Sequence, residues 1–412
     1  MGKIKDKFYA YPKPIRVLAV AMVINTMGMS MLFPLNTLYI TKILDGSMAV
    51  AGFILMIQQG FNIIGNILGG WSYDRFGAKK TIVTGITFST ILVFTLIFIS
   101  DISIYAVLLV LLGLGNGLIF PSIYAMAGAL WPEGGRKTYN LIYVSNNLGV
   151  AFGPIVGGIA FQFAPRLIFV AYTTTFVFFL MLVLLGFTKE NWKNVIESSI
   201  EGRIQTTSEQ ISFGRKYINF APLMLLSLGF LLTWVPYSQW STSISVHMND
   251  IGIEYSKYTL LWSINGLIIV LGQPLIAYIT NNLLKSLKSQ LYTGLSIFIV
   301  AFAILFFNPF YYYGFVIAMA IITFGEMLAF PAVPAAAAEL APSNRKGLYQ
   351  GIIGGFGAGG RMFGVLLAGL LYDLIDIKNM YLLMLGLLLL SIICIIIYSK
   401  LAASNERKYN TI

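Results

Sequence analysis

The stretch Gly115-Asn116-Gly117-Leu118-Ile119-Phe120-Pro121 is matched further along the chain by Gly325-Glu326-Met327-Leu328-Ala329-Phe330-Pro331. The match continues on the carboxyl side of both copies at nearly the same offset, about 210 residues. The matching residues there are Leu130 and Leu340, Pro132 and Pro342, Arg136-Lys137 and Arg345-Lys346, and Tyr139-Asn140 and Tyr349-Gln350. A fixed offset of this kind indicates a duplicated structural unit. Because both copies read in the same direction, the repeat is parallel rather than inverted.

The repeated region is strongly apolar. Hydrophobic residues make up 58% of the chain and charged residues only 10%, and the mean hydropathy is +0.80. Because roughly 20 apolar residues in a helix cross the hydrocarbon core of a membrane, we identify twelve candidate spans. They lie near residues 15–40, 48–71, 81–100, 103–129, 139–162, 165–187, 219–243, 256–280, 289–308, 311–336, 347–372 and 379–401. The sequence therefore predicts an all-α membrane protein with twelve transmembrane helices in two parallel-repeat six-helix bundles.

A polar segment separates the two predicted bundles. Residues 188–216 are rich in Ser, Thr, Glu and Gln and are predicted to form a cytoplasmic linker. The first bundle is then 1–187, the second is 217–403, and residues 404–412 are predicted to form a cytoplasmic tail. A parallel duplication of membrane bundles is typical of transporters that bind a small molecule where the two halves meet.

The formal charge of +11 is explained by the predicted topology. With the amino terminus inside, 22 of the 27 Lys and Arg residues lie on the inner side, four lie outside, and Arg361 lies within the membrane. This bias predicts cytoplasmic termini by the positive-inside rule, in a plasma membrane of the bacterial inner-membrane type. It also argues against nucleic-acid binding, because no base-reading module accompanies the basic residues.

The loop between the second and third spans carries a compact motif, Gly70-Trp71-Ser72-Tyr73-Asp74-Arg75-Phe76-Gly77-Ala78-Lys79-Lys80. Gly70 permits close approach of a neighbouring helix, Gly77 permits a tight turn, and Asp74 is suited to cap a helix or form a salt bridge. The motif resembles the G-x-L-a-D-R-x-G-R-K signature of the major facilitator superfamily. The resemblance implies the major facilitator fold and a gating role for Gly70, Asp74, Arg75, Gly77, Lys79 and Lys80.

The fifth predicted span contains Gly149, Gly153, Pro154, Gly157 and Gly158 in the pattern G-x-x-x-G-P-x-x-G-G. Glycines at this spacing form a flat helix face for close contact, and a proline bends the helix. Within the superfamily, the pattern resembles the antiporter motif of drug:proton exporters. That resemblance implies export in exchange for protons.

One position departs from the exporter pattern. Drug:proton antiporters often carry an Arg in the fourth span, three residues before a Gln-Gly pair, whereas here Gly113 precedes Asn116-Gly117. A proton relay built on that Arg is therefore unsupported, and proton coupling requires an ionisable group elsewhere in the chain.

Two ionisable residues lie near the predicted membrane midplane, Glu326 in the tenth span and Arg361 in the eleventh. Such groups are energetically costly in a membrane and are functional candidates by default. Glu326 either carries a proton or contacts substrate, or it forms a fixed structural ion pair with Arg361. An Arg361 that changes partners during the cycle would reconcile the two interpretations.

Polar and aromatic side chains at similar depth are candidates for the substrate cavity, although any single aromatic residue also suits a lipid-facing position. A cavity of this composition with one carboxylate suits lipophilic or cationic ligands. The candidates are Asn25, Asn116, Tyr143, Asn146, Asn147, Trp234, Gln239, Trp262, Asn265 and Phe330.

The sequence predicts a transporter and no enzyme, cofactor or metal. No metal-ligand cluster or phosphate-binding glycine loop is recognisable. We expect a monomer in the lipid bilayer that exports lipophilic or cationic compounds, such as drugs, in exchange for protons. The alternative is a proton-coupled or facilitative transporter of a specific metabolite, such as a sugar, a peptide or a lipid-linked molecule. A membrane scaffold is a more distant alternative.

Overall fold

The computed structural model describes residues 10–32, 35–187, 191–192, 219–342, 344–372 and 374–410. Within these ranges the regular structure is entirely helical. Most of the predicted linker, 188–216, and the last two residues of the predicted tail lie outside the described residues. The prediction of an all-α chain is confirmed.

Seven α-helices lie before the predicted linker in the part of the chain that the structure describes. They are α1 (Lys13–Leu32), α2 (Asn36–Lys42), α3 (Met48–Phe76), α4 (Ala78–Leu96), α5 (Ile102–Leu130), α6 (Arg136–Phe163) and α7 (Leu167–Gly186), with a 3-10 turn at Pro132–Gly134. Asp101 caps the amino end of α5, since its carboxylate Oδ1 accepts hydrogen bonds from the backbone N–H groups of Ser103 and Ile104, each at 2.9 Å.

Eight α-helices follow the predicted linker within the ranges given above. They are α8 (Phe220–Ser238), α9 (Ser243–Asp250), α10 (Tyr255–Leu271), α11 (Gln273–Tyr278), α12 (Leu287–Phe307), α13 (Tyr312–Leu340), α14 (Lys346–Leu371) and α15 (Ile377–Asn410). A 3-10 turn at Gln239–Ser241 links α8 to α9, and a π-helix at Ile279–Leu283 continues α11. The last helix continues through 404–410, which the sequence analysis assigned to the tail.

Eleven helices or joined helices among the described residues are long and apolar enough to cross a membrane, and a bent pair brings the number to twelve. The bent pair is Leu260–Leu271 with Gln273–Leu283, at 49°. The bend follows from Pro274, which stands at the start of α11 and has no backbone N–H to continue the hydrogen-bond pattern of α10. With this pair counted as one span, the number agrees with the predicted twelve.

The chain divides into two compact units. The first comprises Met1–Gln210 and Ala341–Gly355, and the second comprises Ile211–Leu340 and Phe356–Ile412. The first turns of α14 therefore pack with the first unit, whereas the remainder of that helix belongs to the second. The predicted bundle boundaries at 187 and 217 stay predictions.

Glycines set the close packing of the first unit. The helices α3 and α5 are in direct main-chain contact at Gly65 and Gly117. An added Cβ at either glycine would overlap backbone atoms of the facing helix. The second unit has the same kind of close contact between α12 and α13, at Gly294 and Gly325. Small residues allow membrane helices to approach closely and gain dispersion energy that lipid tails would otherwise supply. Gly325 thereby fixes the position of the neighbouring Glu326.

Candidate functional site: a buried carboxylate among aromatic rings

Glu326 lies at the middle of α13 with only 3% of its surface exposed. Its Oε2 accepts hydrogen bonds from the Tyr237 hydroxyl at 2.8 Å and from the Asn265 amide nitrogen at 3.1 Å. The same Asn265 nitrogen donates to the Thr323 hydroxyl at 2.9 Å. Hydrogen bonds of this kind offset part of the large cost of burying a carboxylate. Glu326, which the sequence analysis placed near the membrane midplane, is thus a buried carboxylate at the middle of its helix.

Aromatic rings surround the Tyr237–Glu326 pair. The ring of Tyr237 lies 5.4 Å from Trp234, 5.5 Å from Phe330, 6.0 Å from Phe298 and 6.5 Å from Trp262, measured between centroids. These rings come from α8, α10, α12 and α13. Their faces are suited to apolar groups and to cations, which the negative face of an aromatic ring attracts. We call these five residues the aromatic cluster.

Arg361 reaches the aromatic cluster from α14. Its guanidinium carbon lies 4.6 Å from the centroid of the Trp234 ring. The approach depends on small residues, since an added Cβ at Gly360 would lie 2.6 Å from both the Leu231 carbonyl oxygen and the Trp234 Cβ. Arg361 and Glu326 therefore border the same group of rings, through Trp234 and Tyr237 respectively. Whether the two charges pair during the cycle stays a prediction.

Gln239 and Trp262, two other predicted cavity residues of the second unit, have well-defined partners. The Gln239 amide nitrogen donates to the carbonyls of Val235 at 3.0 Å and Gly364 at 2.9 Å, and its oxygen accepts from Ser243 at 2.7 Å. Gln239 thus joins α8 to α14 and α9. The Trp262 indole N–H donates to the Tyr258 hydroxyl at 3.0 Å, and its ring plane is nearly perpendicular to that of Tyr237, at 80°.

The first unit has neutral polar groups at its centre. The Asn116 amide nitrogen donates to the Tyr172 hydroxyl at 3.3 Å, while its oxygen is buried without a hydrogen-bond partner among the described residues. Asn25 is fully buried, and neither end of its amide is hydrogen-bonded to a described residue. Buried polar atoms without partners are uncommon and costly, so both amides have spare capacity to bind a polar group.

The remaining predicted cavity residues lie on α6. Asn146 accepts a hydrogen bond from Thr26 of α1 at 3.1 Å, and Asn147 donates to the carbonyl of Tyr143, one turn earlier, at 3.0 Å. Tyr143 itself is buried. Asn146 and Asn147 thus have hydrogen-bond partners within the first unit, in contrast to Asn25, and their assignment to a cavity stays a prediction.

The Asp74 carboxylate caps the amino terminus of α14 within the first unit. Its Oδ1 accepts from the backbone N–H of Gly347 at 2.8 Å and its Oδ2 accepts from that of Leu348 at 2.7 Å. A carboxylate here also interacts favourably with the helix dipole. Gly70 makes the contact possible, since its Cβ would overlap the Gly347 carbonyl, and Gly77 adopts the positive φ of 88° expected of a tight turn.

The basic residues of the same motif contact aromatic rings. The Arg75 guanidinium lies 5.4 Å from the Trp71 ring centroid and 5.8 Å from that of Phe76. The Lys79 ammonium lies 5.9 Å from the ring centroid of Trp192. Lys80 is exposed. In this conformation the cap of α14 is therefore formed by Asp74, and Arg75 packs on its own helix.

The predicted glycine face of α6 packs on α1. An added Cβ at Gly149, Gly153 or Gly157 would overlap backbone or side-chain atoms between Val23 and Met31. Gly158, by contrast, has nothing within 4 Å of an added Cβ. Pro154 lies within the helix at this contact. Three of the four predicted glycines thus form the close-contact face, and the fourth lies outside it.

The structure explains why Gly113 replaces an arginine. A Cβ at this position would overlap the backbone carbonyl oxygen of Gln58 on α3. The Gly113 carbonyl also accepts a hydrogen bond from the Asn62 side chain at 3.1 Å. Because α3 and α5 touch here, a long basic side chain has no room.

The sequence analysis did not place Thr323 at the site, and it did not identify Tyr237 as a hydrogen-bond partner of Glu326. Thr323 could have been found, since it precedes Glu326 by three residues and shares its helix face. Tyr237 gave no comparable signal, because one aromatic residue in an aromatic-rich span does not reveal its hydrogen-bond partner. No group of three or more His, Cys, Asp or Glu side chains that could hold a metal ion occurs within the described ranges.

Comparison with known proteins agrees with this architecture. The family model of the Major Facilitator Superfamily matches residues 18–361, and a second match covers 287–410. The chain is 41% identical to the uncharacterised MFS-type transporter YttB of Bacillus subtilis, over 94% of this chain and 96% of that one. It is 23% identical to a Na(+), Li(+), K(+)/H(+) antiporter of Planococcus maritimus, over 84% and 86% of the two chains.

Solved structures show the same fold. The crystal structure of the human organic anion transporter MFSD10 superposes with a TM-score of 0.72, covering 93% of this chain and 100% of that one at 14% sequence identity. The predicted major facilitator fold is thereby confirmed. From its helices, its motif between α3 and α4, and these matches, the chain belongs to the Major Facilitator Superfamily of membrane transporters.

Proposed function

We propose that this protein is a proton-coupled antiporter that exports lipophilic or cationic compounds, such as drugs, by alternating access. The observation that carries the proposal is Glu326, a buried carboxylate held by two donors and bordered by the aromatic cluster. A group in this position can alternate between neutral and ionised forms as its surroundings change. The relationship to a cation/proton antiporter supports exchange against protons.

The aromatic cluster is proposed to bind the substrate. Its rings offer apolar contact area, and Glu326 offers the negative charge that a lipophilic cation would neutralise. Competition between a proton and a cationic substrate for one carboxylate couples the two without a second site. Arg361 is proposed to stabilise the ionised form when neither is bound.

Asp74 is proposed to govern the conformational cycle. Its carboxylate satisfies two backbone N–H groups that would otherwise lack partners at the start of α14. The contact therefore favours the conformation described here, and a conformation in which α14 leaves Asp74 loses this stabilisation. The basic residues Arg75, Lys79 and Lys80 are proposed to keep this loop cytoplasmic, together with both termini.

The test uses the purified protein in liposomes with an imposed pH gradient. Uptake of a panel of lipophilic cations and antibiotics is measured together with proton flux from a trapped pH dye. We expect substrate-dependent proton movement, lost in Glu326→Gln and kept in the control Glu133→Gln, whose carboxylate is exposed in a 3-10 turn. Downhill movement of a sugar, peptide or lipid-linked molecule without proton flux would instead support the metabolite transporter.

A further inference from the structure

Two hydrophobic clusters of buried residues lie in the first unit. The motif-side cluster includes Tyr73 and Ala78 of the motif between α3 and α4, and the α2-side cluster includes Tyr39 and Ile40 of α2. The helices α1, α4, α5 and α7 contribute to both clusters. Their residues in the motif-side cluster include Leu18, Ala21, Met22, Ile82, Ile86, Ile119, Ile123, Phe179 and Val183. Their residues in the α2-side cluster include Met31, Leu32, Leu92, Val93, Leu109, Leu112, Phe169 and Phe176.

Polar side chains stand where these helices pass from one cluster to the other. Asn25 stands on α1, Ser89 on α4 and Asn116 on α5, each between the residues that its helix gives to the two clusters. On α7, Tyr172 belongs to the α2-side cluster, and its hydroxyl accepts a hydrogen bond from Asn116 at 3.3 Å. All four side chains are buried. We call these four residues the polar layer.

Two close contacts hold the polar layer together. At Gly115 an added Cβ would overlap the Ser89 hydroxyl, so α4 meets α5 directly beside the amide that α5 gives to the layer. At Gly28 an added Cβ would lie 3.0 Å from the Tyr172 ring. Gly28 shares a helix face with Asn25, three residues earlier. Tyr172 therefore contacts both α1 and α5, and the four members of the layer gather at one depth within the first unit.

The polar layer has more hydrogen-bonding capacity than its own members use. Both ends of the Asn25 amide, the Ser89 hydroxyl and the Asn116 amide oxygen are buried without a hydrogen-bond partner among the described residues. Ser89 differs in this from Thr90 on α4 and Ser122 on α5, whose hydroxyls donate to carbonyls one turn earlier, at 2.7 and 2.9 Å. Because buried polar atoms without partners are costly and rare, a set of them at one depth points to a bound group.

The unpartnered atoms define the chemistry of that group. The Asn25 nitrogen can only donate, the two amide oxygens can only accept, and the Ser89 hydroxyl can do either. A group that satisfies them must therefore both donate and accept, as water, a hydroxyl or an amide does. An anion would face two acceptor oxygens, and a metal cation would leave the Asn25 nitrogen without an acceptor. No member of the polar layer carries a charge that would compensate either ion.

We propose that the polar layer is a binding site for a small neutral group that both donates and accepts hydrogen bonds. Water supplies this chemistry, and so does a hydroxyl or amide group of a transported compound. The unpartnered atoms suffice for a buried water, which usually makes about three hydrogen bonds. A transported compound as the source rests on the proposed function, whereas water does not. The polar layer belongs to the first unit, so it is a different site from the aromatic cluster of the second.

The experiment is X-ray hydroxyl-radical footprinting of the purified full-length protein in lipid nanodiscs, read by mass spectrometry. Radicals formed from a bound water oxidise the side chains beside it, even where bulk solvent does not reach. We expect Tyr172 to be oxidised several-fold faster than Phe179, an equally buried aromatic residue of the same helix that lies within the motif-side cluster. Slow oxidation of both residues would show that the polar layer is dry.

Variants of the polar layer test whether its own atoms hold the bound group. In Asn25→Leu the oxidation of Tyr172 should fall about fivefold, the effect of losing one neutral hydrogen bond to that group. Ser89→Ala should act in the same direction with less disturbance of the packing. The matched control is Thr90→Val, which removes the neighbouring hydroxyl, already bonded to the Ile86 carbonyl of its own helix. The oxidation of Tyr172 should not change in that control.

A pair of probes identifies the source of the neutral group. Butyltriphenylphosphonium and (4-hydroxybutyl)triphenylphosphonium are lipophilic cations that differ in one hydroxyl. If a transported compound supplies the group, only the hydroxylated probe should protect Tyr172 from oxidation, and this protection should be lost in Asn25→Leu. If water alone supplies it, Tyr172 should be oxidised equally with and without either probe. Both results support a neutral site and assign its occupant.

Three results would overturn the inference. The first is oxidation of Tyr172 no faster than that of Phe179, and the second is an unchanged rate in both Asn25→Leu and Ser89→Ala. The third is protection of Tyr172 when Na⁺, Li⁺ or K⁺ replaces N-methylglucamine at constant ionic strength, which would indicate a cation site. The proposed function fails by a separate result, namely proton-driven accumulation by Glu326→Gln in liposomes, and footprinting does not depend on transport.

Discussion

The two copies of the repeat place different chemistry at equivalent positions. Glu326, at the centre of the second unit, is a carboxylate with two donors on one oxygen. Its repeat mate Asn116, in the first unit, makes one hydrogen bond with Tyr172, at 3.3 Å, and leaves its oxygen without a described partner. An amide cannot change its charge, whereas a carboxylate can. Both copies thus keep the glycine and the Phe-Pro pair of the repeat, while only the second copy has an ionisable side chain at this position.

The amino termini of α6 and α14 also differ between the two copies, in whether a side chain caps the helix. Both helices follow matching prolines, and the matching basic pairs stand where the helices begin. The first begins after Gly135 without a side-chain cap, whereas the second is capped by both oxygens of Asp74. The counterpart loop of the second copy has no acidic residue between Gly272 and Asn282. The asymmetry therefore extends from the proposed proton site to the proposed gate.

The most severe loss is expected when the second copy is made to resemble the first. Glu326→Gln gives both copies a neutral amide at the centre and imitates the protonated carboxyl permanently. Proton-driven accumulation should fall to the level of empty liposomes, whereas binding of an apolar ligand should persist with its pH dependence flattened. Equilibrium binding at several pH values and uphill transport are the measurements. Uphill, proton-dependent transport by this variant would contradict the proposal that Glu326 carries the proton.

The next effect concerns the close packing of α6 on α1 in the first unit. Gly153→Leu forces a branched side chain into the backbone of α1, and overpacking of this kind costs about 1–3 kcal/mol. We expect a lower unfolding temperature together with leak or loss of transport. Gly158→Leu is the matched control, because its Cβ position is open. Equal behaviour of the two variants would show that the glycine face has no special role.

A smaller effect is expected at the cap of α14. Asp74→Asn removes the charge and one of the two acceptor oxygens, and should reduce transport about tenfold, or about 1.4 kcal/mol of lost state stabilisation. Insertion and unfolding temperature should change little. Asp101→Asn is the control, since one oxygen of Asp101 makes both of its capping bonds and an amide oxygen can replace it. Normal transport by well-inserted Asp74→Asn would refute the gating proposal.

These comparisons also show what the sequence could and could not predict. The transmembrane spans, the repeat and the glycine face of α6 were predictable, because the length of an apolar segment and the spacing of its residues can be read from the sequence directly. The partner of Asp74 was not, since its two bonds go to residues 347 and 348, more than 270 positions away. The same holds for Tyr237, which precedes Glu326 by 89 positions. The absence of the expected arginine was visible at Gly113, but its cause, contact with Gln58, required the packing of α3 on α5.

The smallest effect is expected at Asn116, where the first copy lacks ionisable chemistry. Asn116→Ala removes the amide oxygen, which is predicted to contact a polar group of the substrate. Loss of one neutral hydrogen bond, about 1 kcal/mol, corresponds to roughly fivefold weaker binding. Because an amide does not titrate in this range, the pH profile of transport should keep its midpoint, in contrast to any change at Glu326. Tyr172→Phe serves as the control, since it removes only the partner of the amide nitrogen and should weaken binding less. A shifted pH profile in Asn116→Ala would mean that both copies contribute to proton coupling.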